Sequence, residues 1–258
     1  MQILAHRGYS SKFPENTILA FREAHAAGAD GIELDVQLSR DGQVVVCHDE
    51  TIDRTSNGSG RIMDYSLAEL KSFDFSYGFA SVGPSEDLQI PTLEEVLQWL
   101  QGNDMLLNIE LKTNQYPYPG PAQKVVDLVQ KYQCGARVLI SSFNHYSIQQ
   151  VRDLAPDLSC AFLEVNSIIS PGRYCQEHGA DYYHPHFFAI NEAMLEDLLA
   201  RDIKVNVWTV DDLDLTESLM DKGINGLITN DPISLKAYLK DRKLEIESVT
   251  KVDQALTS

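Results

Sequence analysis

Short apolar runs alternate with amphipathic stretches along most of this chain. Runs bounded by turn-forming residues predict strands at Ile3 to His6, Gly31 to Leu38, Val44 to Cys47, Met105 to Leu111, Arg137 to Ser141, Leu158 to Leu163, Asp181 to His184, Ile203 to Trp208 and Gly226 to Thr229. Between them, apolar positions spaced three and four apart predict helices at Thr17 to Ala27, Leu93 to Leu100, Gln123 to Tyr132, Tyr146 to Leu154, Glu192 to Leu199, Leu213 to Asp221 and Ile233 to Leu239. Strand then helix, repeated about eight times, is the pattern of parallel pairing with helices packed outside the sheet. The predicted fold class is therefore α/β. Helix N-caps are expected at Asn16 with Thr17 and at Asp211, and left-handed stops at Gly28 and Gly223.

Residues from about Glu50 to Ile90 break this rhythm with Thr55-Ser56-Asn57-Gly58-Ser59-Gly60, Phe73-Asp74-Phe75-Ser76-Tyr77 and Gly83-Pro84. A segment this long without the repeat, and rich in aromatics, is expected to be functional. It is read as a cap-like insertion, residues 50–90, within one domain spanning residues 1–241. Phe73, Phe75, Tyr77 and Phe79 are its candidate specificity residues. Residues 242–258 are polar and weakly periodic, and are read as a C-terminal tail.

In a strand, residues i and i+2 share a face. Glu33 and Asp35 therefore point one way and Ile32, Leu34 and Val36 the other, and Glu110 and Lys112 repeat the arrangement around Leu111. His6-Arg7 and His48-Asp49 end two further apolar runs. A solvated face of an antiparallel sheet would give the same alternation, but the parallel pattern leaves inward polar positions only at a barrel mouth. Carboxylates from Glu33, Asp35 and Glu110 suit one hard divalent cation, Mg2+ or Ca2+. His6 and His48 are candidate general acid and base, with structural roles and zinc ligation as competing uses. Arg7 as a planar fork and Lys112 as a point charge can hold phosphate oxygens, or pair instead with the nearby carboxylates. Trp208 is either an apolar wall of the site or a core residue. His184 and His186 are read as structural.

Bulk properties narrow the choice of partner. A formal net charge of −17 argues against nucleic acid and against stable membrane association, since both ask for a cationic face. A small anionic substrate survives this argument, because charges beyond a Debye length of about 8 Å are screened and local cations decide. Cys47, Cys134, Cys160 and Cys175 show no paired spacing and read as reduced thiols. No leader pattern precedes Ile3 and no apolar run approaches spanning length, so a cytoplasmic location is expected. Nothing in the sequence bears on oligomeric state.

Taken in order, His6-Arg7-Gly8, Pro14-Glu15-Asn16-Thr17, Gly31-Ile32-Glu33-Leu34-Asp35-Val36, Asp41-Gly42, Val46-Cys47-His48-Asp49, Ile90-Pro91-Thr92-Leu93, Glu110-Leu111-Lys112 and Ser141-Ser142-Phe143 resemble the glycerophosphodiester phosphodiesterase family. Val207-Trp208-Thr209-Val210 and Gly226-Leu227-Ile228-Thr229 extend the resemblance to about Leu239. It implies a TIM-type (β/α)8 barrel with a small insertion after the strand ending at His48. It further implies a divalent metal on Glu33, Asp35 and Glu110, with His6 and His48 as the acid/base pair and Arg7 and Lys112 on phosphate. The implied activity is hydrolysis of glycerophosphodiesters to glycerol 3-phosphate and an alcohol. Attack by the substrate's own 2-hydroxyl and direct attack by water both stay open. So do two other functions, a phospholipase of the same barrel group acting on lysolipids and a non-catalytic phosphodiester-binding protein. One departure stands out: the family often carries Thr-Asp where this chain has Thr229-Asn230. The change is expected either to weaken electrostatic support at the barrel mouth or to leave Asp231 as a helix cap.

Overall fold

The computed structural model describes residues 1–76, 78–79, 86–116 and 120–242. Its strands are β1 (Gln2–His6), β2 (Gly31–Leu38), β3 (Val44–Val46), β4 (Leu106–Leu111), β5 (Val138–Ser142), β6 (Ser159–Glu164), β7 (Tyr182–Pro185), β8 (Lys204–Val207) and β9 (Gly226–Thr229). All but β3 pair in parallel, in the order β1-β9-β8-β7-β6-β5-β4-β2, and a further β1–β2 pairing closes the ring. Eight parallel strands closed in this way form the TIM-type (β/α)8 barrel. The third strand departs from the strand-helix rhythm. It folds back antiparallel on the last residues of β2, Val36 opposite Val46, and stops one residue short of Cys47.

The helices are α1 (Ile18–Ala26), α2 (Leu67–Leu70), α3 (Leu93–Leu100), α4 (Pro121–Lys131), α5 (His145–Leu154), α6 (Pro171–His178), α7 (Glu192–Leu199) and α8 (Leu213–Met220), and residues 232–242 are also helical. Alternation sorts the strand residues as expected. Ile32, Leu34 and Val36 of β2 and Leu107, Ile109 and Leu111 of β4 pack outward in one core with Phe21, Leu97 and Val126 of the helices. Every residue of β2 is buried, the mark of a strand covered on both faces. Its inward positions, Glu33, Asp35 and Gln37, are all polar.

Two caps fall one residue later than the sequence suggests. Thr17 accepts from the Ala20 N–H at 3.1 Å and Asp212 from the Leu215 N–H at 2.9 Å. Asn16 and Asp211 are thereby free for other partners. Asp231 does cap the helix over residues 232–242, accepting from the Ser234 N–H at 3.1 Å. Gly28 and Gly223 adopt φ of +76° and +73°, as left-handed stops require. Helix α6 was not expected, because Pro171-Gly172-Arg173-Tyr174 carries no apolar period. It forms because Gly172 lets it sit directly on the Asp197 backbone, where a Cβ would stand 2.4 Å from the carbonyl oxygen.

The described part of the insertion builds a small second core from Val45, Cys47, Ile52, Ile62, Leu70, Phe75 and Ile90, with Tyr65, Leu67 and Phe73 against it. Phe73 and Phe75, expected as specificity residues, are thus packed into this core. Tyr77, Gly83-Pro84 and residues 243–258 of the tail lie outside the described residues.

Close strand approach at the base of the barrel is testable at Gly31. A Cβ there would lie 2.6 Å from both the Leu106 carbonyl oxygen and Leu4 Cδ2. Because the oxygen is backbone on a paired strand, the clash is relieved only by spreading β2 from β4. Gly31→Ala is expected to cost about 1–3 kcal/mol, read as a lower urea midpoint at constant m-value.

Candidate active site

At the carboxyl end of β1 the chain turns sharply through Arg7 and Gly8, with φ of +57° and +82°. Gly8 is required twice over, since a Cβ would also meet the Ala20 backbone at 2.7 Å. The turn aims the Arg7 N–H at Glu33 Oε2, 3.1 Å away, and sends its guanidinium between Glu15 Oε1 at 3.0 Å and Asp35 Oδ2 at 3.5 Å. Strand register then assembles the acids. His6 lies beside Glu33 on neighbouring strands, and Asp35 beside Glu110.

Glu33, Asp35 and Glu110 each offer an oxygen within 4.8 Å of the others. All three are buried, and burial governs their protonation. Burial and the neighbouring Asp35 and Glu110 charges push the Glu33 pKa well above the usual carboxylate range. Glu110 is raised to about 7 by burial, against the pull of Lys112, whose Nζ lies 3.0 Å away. Burial also opposes the Asp35 charge, yet Arg7 and Lys112 overcome it and hold Asp35 low. Asn16 donates to Asp35 Oδ2 at 2.9 Å, whereas Oδ1 is buried with no hydrogen-bond partner. Lys112 Nζ faces Oδ1 from 3.8 Å, beyond hydrogen-bond reach, and three hard oxygen donors gathered in this way fit a divalent cation such as Mg2+ or Ca2+.

The two histidines reach the same cleft with different partners. His48 lies 2.6 Å through Nδ1 from Asp49 Oδ1. Asp49 is gripped by Arg54 Nε at 2.7 Å, and Arg54 reaches both Glu15 oxygens at 2.7 Å. Despite partial burial, Arg54 and His48 hold the Asp49 pKa at about 2. Asp35, Arg7, Glu15, Arg54, Asp49 and His48 thus form one ionic chain around the mouth, and the insertion contributes its middle link. His6 Nδ1 instead meets the neutral Asn230 Oδ1 at 2.8 Å, and its Nε2 faces Glu33 Oε2 at 3.9 Å. Burial, reinforced by Arg7, lowers the His6 pKa to about 4.

His6, Arg7, Glu33, His48, Glu110 and Trp208 line one cleft that opens to solvent. Asn108, Phe143, Leu163 and Ile228 complete it. Asp35 and Lys112 adjoin it through Arg7 and Glu110. Trp208 is half-buried, donates to the His184 carbonyl at 2.8 Å and packs edge-on to Phe143, so it is a wall and not a core residue. His184 is fully buried against Asn206, and His186 caps a short turn, in keeping with structural roles. None of the described insertion residues lines the cleft. Sequence reasoning missed Arg54, whose loop carries no periodic signal, gave no role to Glu15 or Asp49, and read Asp211 only as a helix cap. It flagged Asn230 only as a departure.

Comparison with known proteins agrees with the geometry. The sequence model of the glycerophosphoryl diester phosphodiesterase family matches residues 6–234. A glycerophosphodiester phosphodiesterase of Caldanaerobacter subterraneus is 42% identical over 90% of this chain and 95% of its own length. One from Bacillus altitudinis is 38% identical over 90% and 95%. An Oleispira antarctica phosphodiesterase, solved in complex with the product sn-glycerol-3-phosphate, superposes with a TM-score of 0.84 at 27% identity, covering 93% of this chain and 97% of that one. No helix among the described residues is long and apolar enough to cross a membrane.

The raised carboxyl pKa values set a direction for stability. An acid whose folded pKa lies above its unfolded value stabilises the fold below the unfolded pKa and loses that contribution as pH rises through the folded one. In EDTA, the native protein should lose roughly 1 kcal/mol relative to Glu110→Gln between about pH 6 and 8, because only the native chain must ionise Glu110. Comparing the two chains cancels the histidine contributions. Added Mg2+ or Ca2+ should raise the native melting temperature more at pH 8 than at pH 6. Parallel pH profiles for the two proteins would contradict the raised pKa.

Proposed function

The chain belongs to the glycerophosphoryl diester phosphodiesterase family, and we propose that it hydrolyses glycerophosphodiesters to glycerol 3-phosphate and an alcohol, with one divalent cation and two histidines of opposite roles. It is an enzyme, a phosphoric diester hydrolase. The observation that carries the finer reading is the contrast between the histidines' partners, a neutral amide for His6 and a carboxylate for His48.

Glu33, Asp35 and Glu110 would hold the cation, which supplies positive charge against a phosphoryl oxygen. Arg7 and Lys112, already beside those carboxylates, orient the remaining nonbridging oxygens by fork and point charge. His6 is kept neutral by burial at physiological pH and accepts the proton of the attacking hydroxyl, whether that belongs to the substrate glycerol or to water. His48 delivers a proton to the departing alcohol, with Asp49 holding its ring through Nδ1. Trp208 and Phe143 wall the apolar side. A cytoplasmic location is in keeping with four buried, unpaired thiols.

Turnover of glycerophosphocholine and glycerophosphoethanolamine should release glycerol 3-phosphate, stop in EDTA and resume with Mg2+ or Ca2+. His6→Ala and His48→Ala should each lower kcat on the order of 10²- to 10⁴-fold. Lysolipids cleaved faster than both diesters, or binding without product, would replace this reading with one of its alternatives.

Arg54 tests the ionic chain separately. Arg54→Ala frees Asp49 and so the His48 ring, and kcat should fall about tenfold while stability changes by less than about 1 kcal/mol, since the Arg54 side chain is half exposed. Lysine should rescue poorly, because a point charge does not reproduce the fork that spans Glu15 and Asp49. Wild-type kcat in Arg54→Ala would remove the insertion from the machinery.

A further inference from the structure

We propose that Asp211 and Asn230 form a positioning relay that selects the tautomer of His6. The inference rests on the reading of His6 as a reacting group, and it comes from donor and acceptor accounting at the seam where β9 meets β1. The Asp211 carboxylate can only accept hydrogen bonds. It takes three: from Thr229 Oγ1 at 2.8 Å, from the Asn230 N–H at 2.7 Å and from Asn230 Nδ2 at 2.6 Å. The Asn230 amide is therefore turned with its NH2 toward Asp211, which leaves Oδ1 toward β1. That oxygen can only accept. Since it lies 2.8 Å from His6 Nδ1, the proton of the neutral ring sits on Nδ1, and the Nε2 lone pair is bare on the side of the acid cluster. Ser10 Oγ also lies 2.9 Å from the same Oδ1, and the Asn230 carbonyl accepts from the Ser11 N–H at 3.1 Å, which anchors the backbone from which the amide extends.

Asn230 is thus not a weakened acid. It transmits the polarity of Asp211 to His6 without placing a charge beside the ring. An acid at this position would face Asp211 across 2.6 Å and could not donate the bond that Asp211 now takes from an amide. The pair works because one member is an amide and the other a carboxylate: their complementarity sets the side of the ring that carries the proton, and their order keeps the charge one residue away from it.

Asp211→Asn separates these ideas. In that variant the side chain at position 211 has one oxygen where the carboxylate had two. With that oxygen kept on the Thr229 hydroxyl and the Asn230 N–H, the new NH2 meets the NH2 of Asn230. The Asn230 amide then turns over, presents Nδ2 to His6 and shifts the ring proton to Nε2. The 15N shifts of the His6 ring, read at pH 8 in the metal-free protein, should exchange the protonated and bare nitrogens. In the metal-loaded enzyme kcat should fall about 10- to 100-fold with KM little changed, as for a base held in the wrong tautomer. The swapped pair, Asp211→Asn with Asn230→Asp, puts an acceptor back beside His6 Nδ1 and a donor at position 211 to hold it. It should recover the native ring shifts, and kcat should rise above that of the single variant while staying below native, because the carboxylate at position 230 places a charge beside the ring. Native His6 shifts in Asp211→Asn, or a swapped pair no better than the single variant in both readouts, would overturn the relay. Full turnover by His6→Ala would instead overturn the role of His6, and the ring shifts of Asp211→Asn would still report on the relay by itself.

Discussion

The barrel mouth is organised around the cost of keeping three carboxylates, Glu33, Asp35 and Glu110, out of water within 4.8 Å of one another. Isolated, each would shed its charge. Two of them lean that way, and only Asp35 is held ionised, by Arg7 and Lys112. Such an arrangement contributes little to stability. A buried carboxylate cluster with one oxygen that no hydrogen bond reaches is worse for folding than an apolar core of the same volume, and its retention is intelligible where it serves to hold a cation.

From that constraint the surrounding residues follow. Arg7 can serve Asp35 only because its backbone enters the left-handed region and because Gly8 tolerates contact with Ala20. Asn16, also at positive φ, turns back to give Asp35 its one neutral donor. Glu15 then balances Arg7, Arg54 balances Glu15, and Asp49 balances Arg54, so the charge imposed at the centre propagates outward until it reaches solvent at Arg54. The insertion is attached to the site through this ionic relation, while its own apolar residues form a separate core.

Much of this was legible in the sequence because it depends on periodicity. The i, i+2 pairing of Glu33 with Asp35 placed both on the inward face, and β2 and β9 were bounded correctly by their flanking glycines and polar residues. Helix α6 was hidden because its packing rests on a missing side chain, Gly172, and not on an apolar stripe. The antiparallel turn of β3 was hidden because a run of three valines carries no direction. Arg54 and Asp211 escaped for another reason. Their partners lie as far as 39 residues away in the chain, and a lone charge in a polar loop does not announce which distant carboxylate or amide it will meet.

The two histidines show how closure of the barrel sets chemistry that no local segment encodes. His6 and Asn230 are 224 residues apart, yet Ala5 pairs with Thr229, so the next residue on each strand must lie side by side once the ring closes. His48 is fixed differently, by a local fold-back in which the Cys47 N–H donates to the Asp35 carbonyl at 3.0 Å. One imidazole therefore takes its partner from the seam between the first and last strands and the other from a neighbour in sequence. A neutral amide at the first position and a carboxylate at the second leave the rings chemically unlike although the residues are the same. That difference is what the two opposed proton transfers proposed for this site would ask of a single residue type.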